Sequence, residues 1–150
     1  MHTAKHIEIR APREAVFPIA SDLERWPEFL PHYRYNRYLS PLPGGGIVKM
    51  SAIRATPFCP IPLTWISIYR ADAEALQMHF EHLKPTTRGM VVTWNFLPIP
   101  QGVRVEIVHD FTLPWPLVGG FVADRIIGAF LIDHIAGLTL QRLKEHMEKQ

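Results

Sequence analysis

Apolar and polar residues alternate with a period of two through the middle of this chain. Six segments between Tyr33 and Leu113 alternate in this way and are rich in β-branched and aromatic residues, which favours strands. Their sequences are YRYNRYLS, GIVKMSAIRA, LTWISIYRAD, ALQMHFEHL, GMVVTWNFL and VRVEIVHDFTL. The connections between them are short and contain Gly, Pro or polar residues, as hairpin connections do. With an earlier segment, KHIEIRAP, that ends at Pro12, the pattern predicts seven strands.

The C-terminal region follows a helical period instead. Its most apolar stretch, from Pro114 to Gly137, is interrupted by charged residues, so no apolar run reaches the roughly 20 residues of a membrane-spanning helix. We therefore expect one long soluble helix from about Leu117 to about Met147. At about 100° per residue, the face expected to pack on the core contains Ala129, Ile132, Ala136, Thr139, Leu140, Leu143 and Met147.

A second apolar stripe runs along the first half of the same helix. It consists of Ile127, Leu131 and Leu138 and lies well away from the core face. The first half of the helix is therefore expected to be covered on two sides. Either loops or a second subunit could cover the stripe, so a homodimer through these residues is one of two possibilities.

Two short helices are predicted in REAVFPIASDLERWPEFLPH, with a break near Ser21–Asp22. An antiparallel sheet and one long apolar helix bury their inner faces together when the sheet curls around the helix. A curled sheet on one helix often leaves part of its interior unfilled, and such interiors hold ligands. The expected architecture is a single α+β domain over residues 1–150 with an internal cavity.

The segment IEIRAPREAVFPIASDLERWPEFLP resembles the opening of the START-like superfamily (SRPBCC, or polyketide cyclase/dehydrase and lipid transport). The residues that carry the resemblance are Ala11, Pro12, Val16, Phe17, Asp22, Trp26 and Pro27. The closing DHIAGLTLQRLKEHME is similar to the terminal helix of that family, so the resemblance covers essentially the whole chain. It implies a helix-grip fold, with a curved antiparallel seven-stranded sheet around the C-terminal helix. The superfamily includes cyclases, lipid carriers, hormone receptors and quinone-binding proteins, so the resemblance implies no single function.

Alternation along the strands also indicates which side chains face the interior. Aromatic residues with polar groups fall on the expected inner faces beside a serine and a histidine, which predicts a mixed cavity rather than a purely apolar one. Arg125 falls on the core face of the helix and needs either an acidic partner, Asp22 or Asp110, or a wet cavity. The candidate ligand-binding residues are Trp65, Ser67, Tyr69, Trp94, His109 and Arg125. For each of them, plain core packing is the alternative interpretation.

The connections of a meander alternate between two ends of the sheet. One end collects SPLPGGG, ADAEA and PIPQG, which are mostly small or polar. The other end is rich in proline and carries four apolar residues, namely Phe58, Ile61, Trp115 and Leu117. These residues are expected either to pack on one another or to form an apolar rim around the mouth of the cavity.

Composition excludes several classes of protein. A net charge of +2 without a Lys/Arg cluster argues against a nucleic-acid partner. Cys59 is the only cysteine, which excludes an internal disulfide and a multi-cysteine metal site. In HFEH, His79 and Glu81 share one face and His82 the other, so this segment is interpreted as a surface strand, not a metal site. No cofactor is expected, and the absence of an apolar leader favours a cytoplasmic location.

Three functions remain open at this point. The first is a module that binds a lipid, a quinone or a polyketide-like molecule in the cavity. The second is a polyketide aromatase/cyclase-type enzyme acting on a poly-β-ketone, and the third is a coenzyme Q-binding accessory protein with transient membrane contact. The cyclases that the chain resembles carry an arginine on the inner face of the tryptophan-bearing strand. Here Arg70 has the opposite parity to Trp65 and Tyr69 takes the inner position, so no catalytic residue is assigned.

Overall fold

The computed structural model describes residues 2–54, 58–84, 90–110 and 133–149. The described elements are strand β1 (His2–Ile9), helix α1 (Arg13–Ala20), a 3-10 turn (Leu23–Arg25), helix α2 (Trp26–Phe29), strands β2 (Tyr33–Leu42), β3 (Gly45–Arg54), β4 (Ile61–Asp72), β5 (Gln77–Lys84), β6 (Val91–Ile99) and β7 (Gly102–Asp110), and helix α3 (Asp133–Glu148). The strands overlap the segments that the sequence predicts, although β1 ends at Ile9 and not at Pro12, and two short helices follow it. The predicted first half of the long helix, from Leu117, lies outside the described residues.

The seven strands form one antiparallel sheet in the order β1-β7-β6-β5-β4-β3-β2. Strands β2 to β7 form a meander. Strand β1 is added at one edge by pairing with β7, with Ile7 opposite Val105. The register shifts after Tyr33 and Tyr38 in β2 and after Ile66 in β4. Such bulges bend a strand and increase its twist, and the sheet is curved as the sequence predicts.

Burial alternates along the last two strands of the sheet, so one face of the sheet forms the core. This period of two is typical of an antiparallel sheet with one covered face. The buried positions are Val92, Trp94, Phe96, Val103, Val105, Ile107 and His109. Trp94 and His109, which alternation predicts to face inward, are among these buried positions.

Helix α3 lies against this inner face and contacts β1 and α2. The described members of its predicted core face are all buried, namely Ala136, Thr139, Leu140, Leu143 and Met147. Near its C-terminal end, the ring of His146 stacks on Phe29 of α2 with 4.6 Å between ring centroids. Two further members of the predicted face, Ala129 and Ile132, lie outside the described residues.

A cluster of charged residues holds the last turn of α3 against the end of β1. Lys144 Nζ donates to the carbonyl oxygen of Glu8 at 2.7 Å and to Glu148 Oε2 at 2.8 Å. The backbone N–H of Arg10 donates to the same carboxylate at 2.9 Å. Lys144 and then Arg10 lower the pKa of Glu148 to about 2. Because the cluster is at the surface, we expect it to position the helix end rather than to dominate stability.

Hydrogen bonds within the segment and to the sheet hold α1 and α2 in place. The indole N–H of Trp26 donates to the carbonyl of Ala20 at 2.9 Å. The Tyr69 hydroxyl on β4 donates to the carbonyl of Ser21 at 3.1 Å. The first bond spans the break between the short helices, and the second joins that break to the sheet.

Within the described ranges, no helix is long and apolar enough to cross a membrane. Of the stripe predicted for a homodimer, Ile127 and Leu131 lie outside the described residues, and Leu138 is half-buried. The homodimer therefore stays a prediction.

The burial of α3 predicts the cost of placing a charge on its core face. We expect Leu143→Asp to lower the free energy of unfolding by about 3–5 kcal/mol, because the carboxylate would be buried without a partner. Gln141→Asp, on the exposed side of the same helix, should change it by less than about 0.5 kcal/mol. Urea unfolding of both variants tests this, and equal midpoints would show that the helix face is assigned wrongly.

Candidate ligand cavity

The described residues enclose a cavity of about 320 Å³ between the sheet and α3. Its walls come from α2, the beginning of β2, the inner faces of β3 to β7, and the first turns of α3. Pro62 and Leu63 at the beginning of β4, and Met90 before β6, place it towards the proline-rich end of the sheet. This is the end at which the sequence predicts the mouth.

Aromatic rings form a continuous wall on the sheet side of the cavity. Trp26 lies 5.6 Å from Trp94 and meets Tyr33 edge-to-face at 4.9 Å, measured between ring centroids. Tyr33 in turn meets Trp65 at 6.2 Å, and Phe80 lies 6.4 Å from Trp26. Edge-to-face and offset contacts at these distances are favourable and restrain each ring. The wall is therefore largely formed before any ligand arrives.

The helix side of the cavity carries a hydroxyl group that connects α3 to β2. Thr139 Oγ1 lies 2.9 Å from His32 Nε2 and donates to the carbonyl of Ile135 at 2.7 Å. Burial raises the pKa of Tyr33, and a hydrogen bond with Thr139 opposes that rise. The hydroxyl therefore links two residues at the beginning of β2 to the helix face that lines the cavity.

Two histidines, on β5 and β7, line the cavity and are each only 7% exposed. The ring of His82 stacks on Trp65, with 5.9 Å between centroids and 11° between planes. Burial lowers the pKa of His82 from 6.5 to about 3, with a smaller contribution from His109. Burial lowers the pKa of His109 to about 4, partly opposed by Asp110. Both imidazoles are therefore neutral at neutral pH.

The interpretation of HFEH as a surface strand is wrong for its second histidine. His79 and Glu81 are exposed, but His82 is buried beside Phe80. Alternation alone already separated His82 from the exposed pair. The missing information was that the opposite face of β5 is covered by the cavity wall. Within the described ranges, no group of three or more His, Cys, Asp or Glu side chains could hold a metal ion.

The structure brings three of the predicted site residues together at the cavity, namely Trp65, Trp94 and His109. Ser67 and Tyr69 face inward and are buried, but they do not belong to the wall that the described residues form. Ser67 Oγ has no hydrogen-bond partner among the described residues. A role for Ser67 or Tyr69 in ligand binding stays a prediction.

Of the remaining predicted residues, the structure describes only Phe58 and Ile61. Phe58 is 95% exposed between β3 and β4. Ile61 begins β4 and its backbone pairs with Arg54. Arg125, Trp115 and Leu117 lie outside the described residues, so their roles stay predictions.

Sequence reasoning did not single out several lining residues. Trp26 was singled out only as one of the residues that carry the family resemblance, and Thr139 only as a member of the core face of the helix. Tyr33 precedes a register shift in β2, which interrupts the alternation that would reveal its direction. Local periodicity therefore could not identify these three as neighbours.

Comparison with known proteins supports one family. The model of the polyketide cyclase/dehydrase and lipid transport family matches residues 1–148. A putative polyketide cyclase of Streptomyces cyaneus is 27% identical over 113 residues, which are 75% of this chain and 73% of that protein. The Zhui aromatase/cyclase from Streptomyces sp. R1128 has a TM-score of 0.83 at 18% identity, with 99% of this chain and 94% of that chain covered. For TTHA0849 from Thermus thermophilus the TM-score is 0.78 at 22% identity, with 99% and 98% covered. At these identities the solved structures show a shared fold.

The two buried histidines predict a dependence of stability on pH. Below about pH 6.5 the unfolded chain protonates these histidines, whereas the folded protein resists protonation until about pH 4 at His109 and about pH 3 at His82. Unfolding therefore takes up protons, and the free energy of unfolding falls as the pH is lowered through this window, by up to about 1.4 kcal/mol per pH unit for each histidine.

Chemical denaturation between pH 7 and pH 4.5 measures this loss. We expect the His82→Phe, His109→Phe double variant to lose less stability than the parent over the same range. The single variant His79→Phe, on the exposed face of β5, should follow the parent. Parallel curves for the double variant and the parent would contradict the buried neutral state.

Proposed function

We propose that this chain, which belongs to the polyketide cyclase/dehydrase and lipid transport family, binds a hydrophobic, aromatic small molecule in the cavity between the sheet and α3. The observation that carries the proposal is the continuous wall of Trp26, Tyr33, Trp65 and Trp94 facing that cavity. Ligand pockets are commonly apolar and aromatic, with a few polar groups that fix orientation.

The size of the cavity supports a ligand of about two fused rings. Its volume of about 320 Å³ lies at the lower end of the range for small-molecule pockets. An apolar cavity of about 150 Å³ is known to accept benzene. A ligand group that buries roughly 150–250 Å² of apolar surface would gain about 4–6 kcal/mol from burial before the costs of association. Apolar contact would supply most of the affinity, and the polar groups would orient the ligand.

An aromatase/cyclase-type enzyme acting on a poly-β-ketone is the second proposal. Two neutral histidines beside the cavity favour it, because a neutral imidazole offers a hydrogen-bond donor that could polarise a substrate carbonyl group. The Streptomyces relatives, a putative polyketide cyclase and an aromatase/cyclase, point the same way. However, Arg70 is exposed on the outer face of β4, and the inward Tyr69 donates its hydroxyl to Ser21. The inner cation of the cyclases that the chain resembles is therefore missing from this strand, which ranks the enzyme below the carrier.

A coenzyme Q-binding accessory role is the third proposal. A quinone ring is flat and uncharged, which suits the aromatic wall. The 95% exposure of Phe58 on a loop beside β4 would favour a transient membrane contact. Flotation with liposomes, comparing the parent with Phe58→Ser, separates this role from that of a carrier without membrane contact.

Native mass spectrometry of the protein purified from its own host addresses the ligand directly. We expect a co-purifying aromatic or lipidic molecule in a one-to-one complex. A carrier should return an added ligand unchanged, whereas a cyclase should release a product lighter by one water for each dehydration.

Tryptophan fluorescence tests the cavity with a defined probe. We expect naphthalene to quench the emission saturably, and Trp65→Leu to weaken its binding roughly three- to tenfold, because one ring of the wall is lost. Trp26 and Trp94 remain as reporters in that variant.

The matched control for this experiment is Ile66→Leu, at the neighbouring position of β4, which should bind naphthalene like the parent. Quenching that never saturates in the parent, or equal affinities in the parent and Trp65→Leu, would refute binding at this wall.

A further inference from the structure

We infer that the cavity selects uncharged ligands that carry a hydroxyl or carbonyl group, and that His82 and His109 supply the polar contact. The inference rests on the proposed function and adds a chemical class to it. The two imidazoles line the same cavity, a proximity that the sequence alone did not predict.

The two histidines belong to strands that flank β6 on either side. His109 is opposite Val92 of β6, and the backbone N–H of His82 donates to the carbonyl of Met90 at 2.8 Å. Both side chains line the same cavity, and His82 is held flat against Trp65. A planar ligand on the aromatic wall would therefore lie within reach of an imidazole at its edge.

The charge state of the wall limits what can bind. Burial keeps both imidazoles neutral at neutral pH, and a neutral imidazole offers one donor and one acceptor. Tyr33 contributes a neutral hydroxyl, since burial raises the pKa of its phenol. Among the described lining residues there is no Lys, Arg, Asp or Glu.

Against the described wall, a carboxylate would lose its hydration without a counter-charge, which is costly. A hydroxyl or carbonyl group would instead exchange its bonds to water for bonds to an imidazole. The described wall therefore favours a phenol or a quinone over a fatty acid or an aromatic acid of the same size.

Three probes of matched shape test the inference at pH 7.5, namely naphthalene, 2-naphthol and 2-naphthoate. Only the last is charged at this pH, because carboxyl groups ionise near pH 4. We expect 2-naphthol to bind at least threefold more tightly than naphthalene and at least tenfold more tightly than 2-naphthoate. Affinities come from titration of tryptophan emission, checked by calorimetry.

Variants identify the groups responsible. In His82→Phe or His109→Phe, the advantage of 2-naphthol over naphthalene should fall to less than twofold, whereas naphthalene itself should still bind. His79→Phe, on the exposed face of β5, is the matched control and should keep the full advantage. Saturable naphthalene binding by each variant shows that its cavity is intact. If neither phenylalanine variant folds, His109→Gln, which keeps polar groups, replaces them and should retain a preference for 2-naphthol.

The outcomes separate the inference from the proposed function. Failure of naphthalene to bind the parent would overturn both. Binding of naphthalene without a preference for 2-naphthol, or with the preference intact in both phenylalanine variants, would overturn the inference alone. Binding of 2-naphthoate as tight as that of 2-naphthol, or tighter, would also overturn the inference. If that binding of 2-naphthoate were then lost in Arg125→Met, the site would be assigned to a cationic group on the predicted helix.

Discussion

The packing of one helix face against a sheet that is wider than the helix underlies the rest of the structure. Towards its C-terminal end, α3 presents Leu143 and Met147, which are buried against the sheet and its neighbours. Towards its described N-terminal end it presents Ala136 and Thr139, which are smaller and line the cavity. Protein interiors are otherwise close-packed, so the small side chains of Ala136 and Thr139 contribute to the space of the cavity, which Ile135 also lines.

The aromatic wall serves both the core and the proposed site. Trp26 contacts Tyr33, Phe80 and Trp94, which belong to three different strands, and its indole N–H is satisfied by Ala20. A ring with so many contacts is fixed in place, so a ligand would meet a preformed surface and little ordering cost would be set against its affinity. Because Trp26 belongs to both the core and the cavity wall, changes to it would affect stability and binding together. The half-buried Trp65 is the better probe of binding alone.

The polar groups of β4 and of the described cavity wall limit the chemistry that the site can perform. Arg70 points outward, and the hydroxyl of Tyr69 holds the break between the short helices at Ser21. What remains along the described wall is neutral, with two imidazoles and the hydroxyls of Tyr33 and Thr139 among its polar groups. Such a set suits recognition of an uncharged polar group by hydrogen bonds.

Local periodicity was sufficient for much of this protein. The alternation of β4, β6 and β7 determined that Trp65, Trp94 and His109 face inward, because successive side chains of a strand point to opposite faces. The helical period likewise determined the buried face of α3. Only the tertiary structure decided which inward residues share a cavity. Four lining residues come from separate elements, namely Trp26, Tyr33, His82 and Thr139. Their proximity depends on strand order, on the register shift after Tyr33 and on where the helix packs on the sheet. These are long-range relations that no local pattern in the sequence encodes.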